Sequence, residues 1–168
     1  MYLARDVSSF NSVDAPQFKS VMRRIASTVT VITSASGSII NGMTATAVCS
    51  VSVEPPCILV VVNRANKSHS LIEDAGVFAV NVLSEEQEHL AQHFALKSDN
   101  PFEAVTYRGG VTGVPVITEC VANLECIVQS QTRSGTHSIF VGRVVHTDEA
   151  ERPPLLHINS GFTSPRTT

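Results

Sequence analysis

Two hydrophobic periodicities alternate along this chain, and the points where one gives way to the other mark its elements. Asp14 opens the first as an N-cap. Pro16 falls in the first turn and Gln17 at the capping-box position, and Phe18, Val21, Met22 and Ile25 follow at helical spacing, which predicts a helix of about a dozen residues. From Thr28 the period drops to two. "TVTVITSAS" alternates β-branched with small residues, "SGS" at 36–38 supplies a turn, and "IINGMTATA" returns, so the pair reads as a hairpin. "VCSVSV" alternates again, and "EPP" at 54–56 is expected to interrupt the ladder because proline has no N–H to donate. "CILVVVN", Cys57 to Asn63, is a continuous apolar run of the kind covered on both faces.

Asn66 or Ser68 then starts a short helix that Gly76 closes, and "VFAVNVL" is another strand. Ser84 caps "EEQEHLAQHFAL", whose acidic first turn suits the helix dipole. Residues 97–113 read as loop. "VPVIT", "VANLECIVQSQT", "THSIFVGRVVHTD" and "PLLHI" follow as strands. Roughly seven or eight strands with two or three helices argue for a mainly β, antiparallel barrel with peripheral helices, since closure removes exposed edges.

Composition narrows the function classes. The 168 residues suffice for one domain with a sizeable core; residues 1–13 read as a flexible polar arm and 14–168 as the domain. Charged residues make up 16%, against roughly 25% in ordinary soluble domains, which favours a chain that pairs with a second copy. A net charge of −3 leaves no basic footprint for nucleic acid. No apolar run is long enough for a membrane span, and the N-terminus lacks a secretory apolar core. Cys49, Cys57, Cys120 and Cys126 show no zinc spacing and are expected to be buried free thiols in a reducing compartment, so the protein is expected in the cytoplasm.

Most ready-made chemistries fail. His89 and His93 lie four residues apart on a helix, but neither the HExxH pattern nor a third ligand accompanies them, so a solvated helical face is preferred to zinc. GxSxG, GxGxxG and GxxxxGK[ST] are all missing, and Cys49 is better read as a small core residue than as a nucleophile. What remains is a run of short polar side chains, Thr44, Thr46 and Ser50, beside Gly42 and Ala45, which let a ligand approach the backbone. Asn63, Lys67, Ser68 and His69 cluster downstream at a strand-to-helix junction, where exposed amides and a lysine suit a phosphate. These residues read equally as threonine-rich strands and a polar loop. His137, at a turn entering a strand, reads as either a surface or a ligand-facing histidine.

Four segments together, "FKSVMRRIASTVTVITS", "GMTATAVCSVSVEPPCILVVVNRANKSHSLI", "GVFAVNVLSEEQEHLAQHFA" and "LECIVQSQTRSGTHSIFVGRVV", resemble in order the short-chain flavin reductases, the reductase components of two-component flavin monooxygenases. The likeness runs from about Phe18 to Phe162. It implies an antiparallel, FMN-binding split β-barrel, a homodimer that takes FMN or FAD, reduces it with NADH or NADPH, and releases it to a separate monooxygenase. By the same resemblance Thr30, Thr44, Ala45 and Thr46 border the isoalloxazine and ribityl chain, with Cys49 and Ser50 following toward the phosphate. Asn63, Lys67, Ser68 and His69 hold the phosphate end, and His137 is the catalytic candidate on the nicotinamide side. The tail departs from the family's "PLLYHRGRY": here it is "PLLHINSGF", with His157 in place of the aromatic. That departure keeps open the alternative of a flavin-binding split barrel without efficient reductase activity.

Overall fold

The computed structural model describes residues 10–165, so most of the expected N-terminal arm lies outside the described residues. Helix α1 (Ala15–Met22) begins as its cap requires: the Asp14 carboxylate accepts the Gln17 N–H at 2.8 Å. It stops sooner than the spacing of its apolar residues predicts, and Ile25 lies beyond it.

The expected hairpin forms from β2 (Thr30–Ser36) and β3 (Ile39–Ala45), turning at Gly37, whose φ of 60° a side chain would resist. A second hairpin joins β4 (Val48–Val53) to β5 (Pro56–Asn63). Here "EPP" separates the two strands as expected, as a hairpin turn. Glu54 and Pro55 are the turn itself, and Pro56 is the first residue of its strand, paired with Val53, a position proline tolerates. Asn66 caps α2 (Lys67–Ala75) by accepting the Ser68 N–H, and Gly76 ends it in the left-handed region at φ 68°. Strand β6 (Val77–Val82) leads into a short 3-10 turn and α3 (Glu88–Ala95).

Within the stretch 97–113, read as loop, a short strand β7 (Tyr107–Gly109) pairs with β8 (Pro115–Ile117). The long strands β9 (Ala122–Ser134) and β10 (His137–Glu149) form the third hairpin. The expected terminal strand β11 (Leu156–Ile158) does not stand alone. It pairs on one side with β1 (Ser27–Thr28) and on the other with β12 (Gly161–Thr163).

The main sheet has seven strands in the order β3-β2-β6-β9-β10-β5-β4, every neighbouring pair antiparallel. Directions therefore alternate, and the two edge strands, β3 and β4, run the same way. Only Thr46 and Ala47 separate them in sequence. They act as one bent strand whose first half edges one side of the sheet and whose second half edges the other. The sheet must curl until its edges meet at that link, and one core confirms that it does: Met43 and Ala45 of β3, Val48 of β4, and Ile32, Val60, Phe78, Val80 and Phe140 all pack together. No hydrogen-bonded ladder joins β3 to β4 among the described residues, so the barrel is split there.

A second apolar cluster lies outside the barrel, where Leu90, Ala91 and Phe94 of α3 meet Val29, Val31, Phe102 and Ile117. Three of the four cysteines are buried as expected, and burial pushes the Cys120 and Cys126 thiols up to about 12. Cys49 is a correction: it is exposed, because β4 is an edge strand with little on either face.

Candidate functional site

The site is built where α3 crosses the outer face of β3. Gly42 makes that approach possible: a Cβ there would sit 2.5 Å from Cε1 of Phe94, the aromatic that anchors α3. Two residues along, Thr44 Oγ1 donates to the Ala91 carbonyl at 2.7 Å and ties strand to helix. Because α3 ends at Ala95, it covers only part of this face, and clefts open on either side of Ala95 and Leu96.

The first cleft, about 520 Å³, is mostly apolar. Val29, Thr44, Ala45 and Thr46 form its strand wall, Ala91 and Ala95 its helix wall, and His157 and Phe162 of the β11–β12 ribbon close it. The second, about 540 Å³, is polar. Asn41 and Gly42, the α2 entry at Ala65 to Lys67, and Lys97 to Asp99 line it. Both fall in the size range of small-molecule sites, roughly 300–1,000 Å³. Since Ala95 and Leu96 border both, an apolar compartment adjoins one that carries two lysines and one aspartate.

Of the residues expected from sequence, Thr44, Ala45 and Thr46 share the first cleft and Lys67 reaches the second. The others lie elsewhere. Thr30 is buried, and its hydroxyl donates to the Ala45 carbonyl at 2.7 Å. Ser68 is buried against Asn41, whose Nδ2 donates to its hydroxyl at 2.8 Å. His69 turns inward too: its Nε2 lies 2.8 Å from Ser138 Oγ, and its ring stands edge-on to Phe140. Asn63 and His137 face each other across the β5–β10 ladder, outside both clefts, with His137 Nδ1 2.9 Å from Thr136 Oγ1. Cys49 and Ser50 are exposed on β4.

The helix entry also differs from a bare anion cradle. The N–H groups of Ala65 and Ser68 donate to the side chains of Asn63 and Asn66, and those of Asn66 and His69 donate to the carbonyls of Asn63 and Asn66. With those amides engaged, the positive charge of this cleft rests on the side chains of Lys67 and Lys97. Sequence reasoning missed Lys97, because it follows α3 rather than the strand-to-helix junction and nothing local joins it to Lys67. It also missed Phe162 as a cleft wall.

The donor set fits a flavin nucleotide: an apolar cleft bounded by threonines, next to a compartment with two lysines and one aspartate. The family profile of the flavin reductase like domain matches residues 22–166, and the chain belongs to that family. A Rhizobium meliloti protein named "Probable flavin reductase" is 36% identical over 143 residues, which cover 84% of this chain but only 46% of the relative. The 4-hydroxyphenylacetate 3-monooxygenase reductase component of Pseudomonas aeruginosa is 36% identical over 74% of this chain and 75% of its own. Among solved structures, the NADH:FAD oxidoreductase SgcE6 of Streptomyces globisporus, in complex with NAD and FAD fragments, superposes with a TM-score of 0.85 at 34% identity, covering 95% of this chain and 98% of that one.

Proposed function

We propose that this chain is an NAD(P)H-dependent flavin reductase that supplies reduced FMN or FAD to a separate monooxygenase. The observation that carries it is the adjoining pair of clefts, one apolar, one with Lys67 and Lys97 beside Asp99, in a chain of this family. A bound flavin supplies the electron chemistry, accepting hydride from nicotinamide. The protein then has only to hold and orient the two rings and exclude water around them.

In this proposal Thr44, Ala45 and Thr46 border the flavin ring, and Lys67 with Lys97 meets the phosphate end as charge-assisted donors. Ser68 and His69 hold the end of the barrel beneath α2 rather than touching ligand. His137 remains the proposed nicotinamide-side residue by its match to the family motif.

Residues 14–168 act in this proposal as one unit, paired as a homodimer. The support is the apolar stripe of α1, where Phe18, Val21 and Met22 are all exposed, and the exposed Val51 and Val53 of β4. The proposed setting is the cytoplasm, in keeping with three buried free thiols; among the described residues no helix is long and apolar enough to cross a membrane.

The test is oxidation of NADH, then NADPH, in air with FMN or FAD added to the purified protein. Fast oxidation that depends on added flavin is the expected result, and the pair that works fixes both cofactors. Flavin binding without oxidation in any combination would refute the reductase in favour of a flavin carrier. Replacing His137 by Ala is expected to lower turnover more than flavin affinity; equal loss of both would remove its proposed role.

A further inference from the structure

His157 stands where the family resemblance places an aromatic, and its surroundings give the substitution a meaning. The residue sits on the central strand of the β1-β11-β12 ribbon, paired with Ser27 on one side and Phe162 on the other, so its backbone is fixed from both edges. Phe162 packs against its ring nearly edge-on, with centroids 5.5 Å apart at 66°, which fixes the direction of the imidazole as well. That ring forms part of the wall of the apolar cleft.

Of the polar side chains around it, Thr46 is exposed to solvent and two others are engaged. The Thr44 hydroxyl donates to the Ala91 carbonyl, and Gln92 Nε2 donates to Glu88. The ring nitrogens of His157, by contrast, make no hydrogen bond among the described residues. Among the described residues no other ionisable side chain lines this cleft. A fixed, unspent donor and acceptor beside an apolar, ring-sized slot is a specificity element: it favours a heteroaromatic ring that carries a carbonyl or amide on its edge over a plain apolar one.

We infer that His157 is the ionisable contact of the apolar cleft and hydrogen-bonds the carbonyl- or amide-bearing edge of the bound heteroaromatic ring. The inference rests on the flavin function proposed above. Both an isoalloxazine and a nicotinamide present that chemistry, and the experiment separates them.

The test uses the full chain and three proteins: wild type, His157→Phe and His157→Ala. Phe keeps a ring against Phe162 without the nitrogens, whereas Ala removes both. Affinity for FMN is read by fluorescence quenching, and affinity for NAD by titration of the flavin-loaded protein, so neither readout needs turnover. One net hydrogen bond corresponds to a loss of about fivefold to tenfold. If the isoalloxazine is the partner, both variants lose that factor for FMN; if the nicotinamide is, both keep FMN and lose it for NAD. Phe matching wild type for both ligands would overturn the inference, since packing alone would then explain the residue. Wild type that binds no flavin would instead count against the proposed function itself.

Discussion

Helices α1 and α3 are each eight residues long and both carry apolar side chains at helical spacing, yet they end in opposite circumstances. In α3, Leu90, Ala91 and Phe94 are buried against the barrel, and Phe94 is only 3% exposed. In α1 no side chain is buried; Phe18 is 57% and Val21 66% exposed. Amphipathic spacing declares that a face seeks cover, but not what provides it. For α3 the cover is β3, stripped to glycine at the point of contact. For α1 none is supplied among the described residues of one copy.

The contrast can be broken in a graded way. Phe94→Ala should cost about 3–5 kcal/mol in urea unfolding, because it empties a packed site that Gly42 cannot fill. Its counterpart Phe18→Ala should change the unfolding of the dilute, monomeric chain by no more than about 0.5 kcal/mol. Val21→Asp sharpens the same point: sedimentation at working concentration should fall from dimer to monomer mass while circular dichroism stays unchanged. A dimer that survives Val21→Asp would exclude α1 from the interface. A modest effect of opposite sign belongs to the ribbon that carries His157. Ser160 sits at φ 64°, which glycine adopts freely, so Ser160→Gly should stabilise the chain by about 0.5–1 kcal/mol in the same urea experiment.

The same residue explains part of what sequence could and could not disclose. Signals that act within a few residues read correctly: the Asp14 and Asn66 caps, the Gly37 turn, the Gly76 helix end. Strand β12 escaped because its two-residue turn, Asn159-Ser160, has positive φ at both positions while offering serine where a glycine would have announced it. "EPP" marked the break between β4 and β5, off by one residue because Pro56 can begin a strand without its N–H.

At the site, residue type was legible but direction was not. Thr30 and Thr44 look alike in sequence, and both hydroxyls donate to backbone carbonyls; only Thr44 also borders a cleft. Cys49 was expected inside because its neighbours are apolar. Its exposure follows from the place of β4 at the edge of the sheet, a long-range property that no local window contains.

The two-residue link between β3 and β4 has a kinetic consequence. It unites two hairpins that can each form early, since β2–β3 and β4–β5 join near neighbours in sequence. The β5–β10 ladder instead brings together strands about eighty positions apart, which carries the larger entropy of loop closure. Within the main sheet the barrel should therefore close late across β10, and the β1–β11 pairing that carries His157 to the apolar cleft, about 130 positions apart, should follow it.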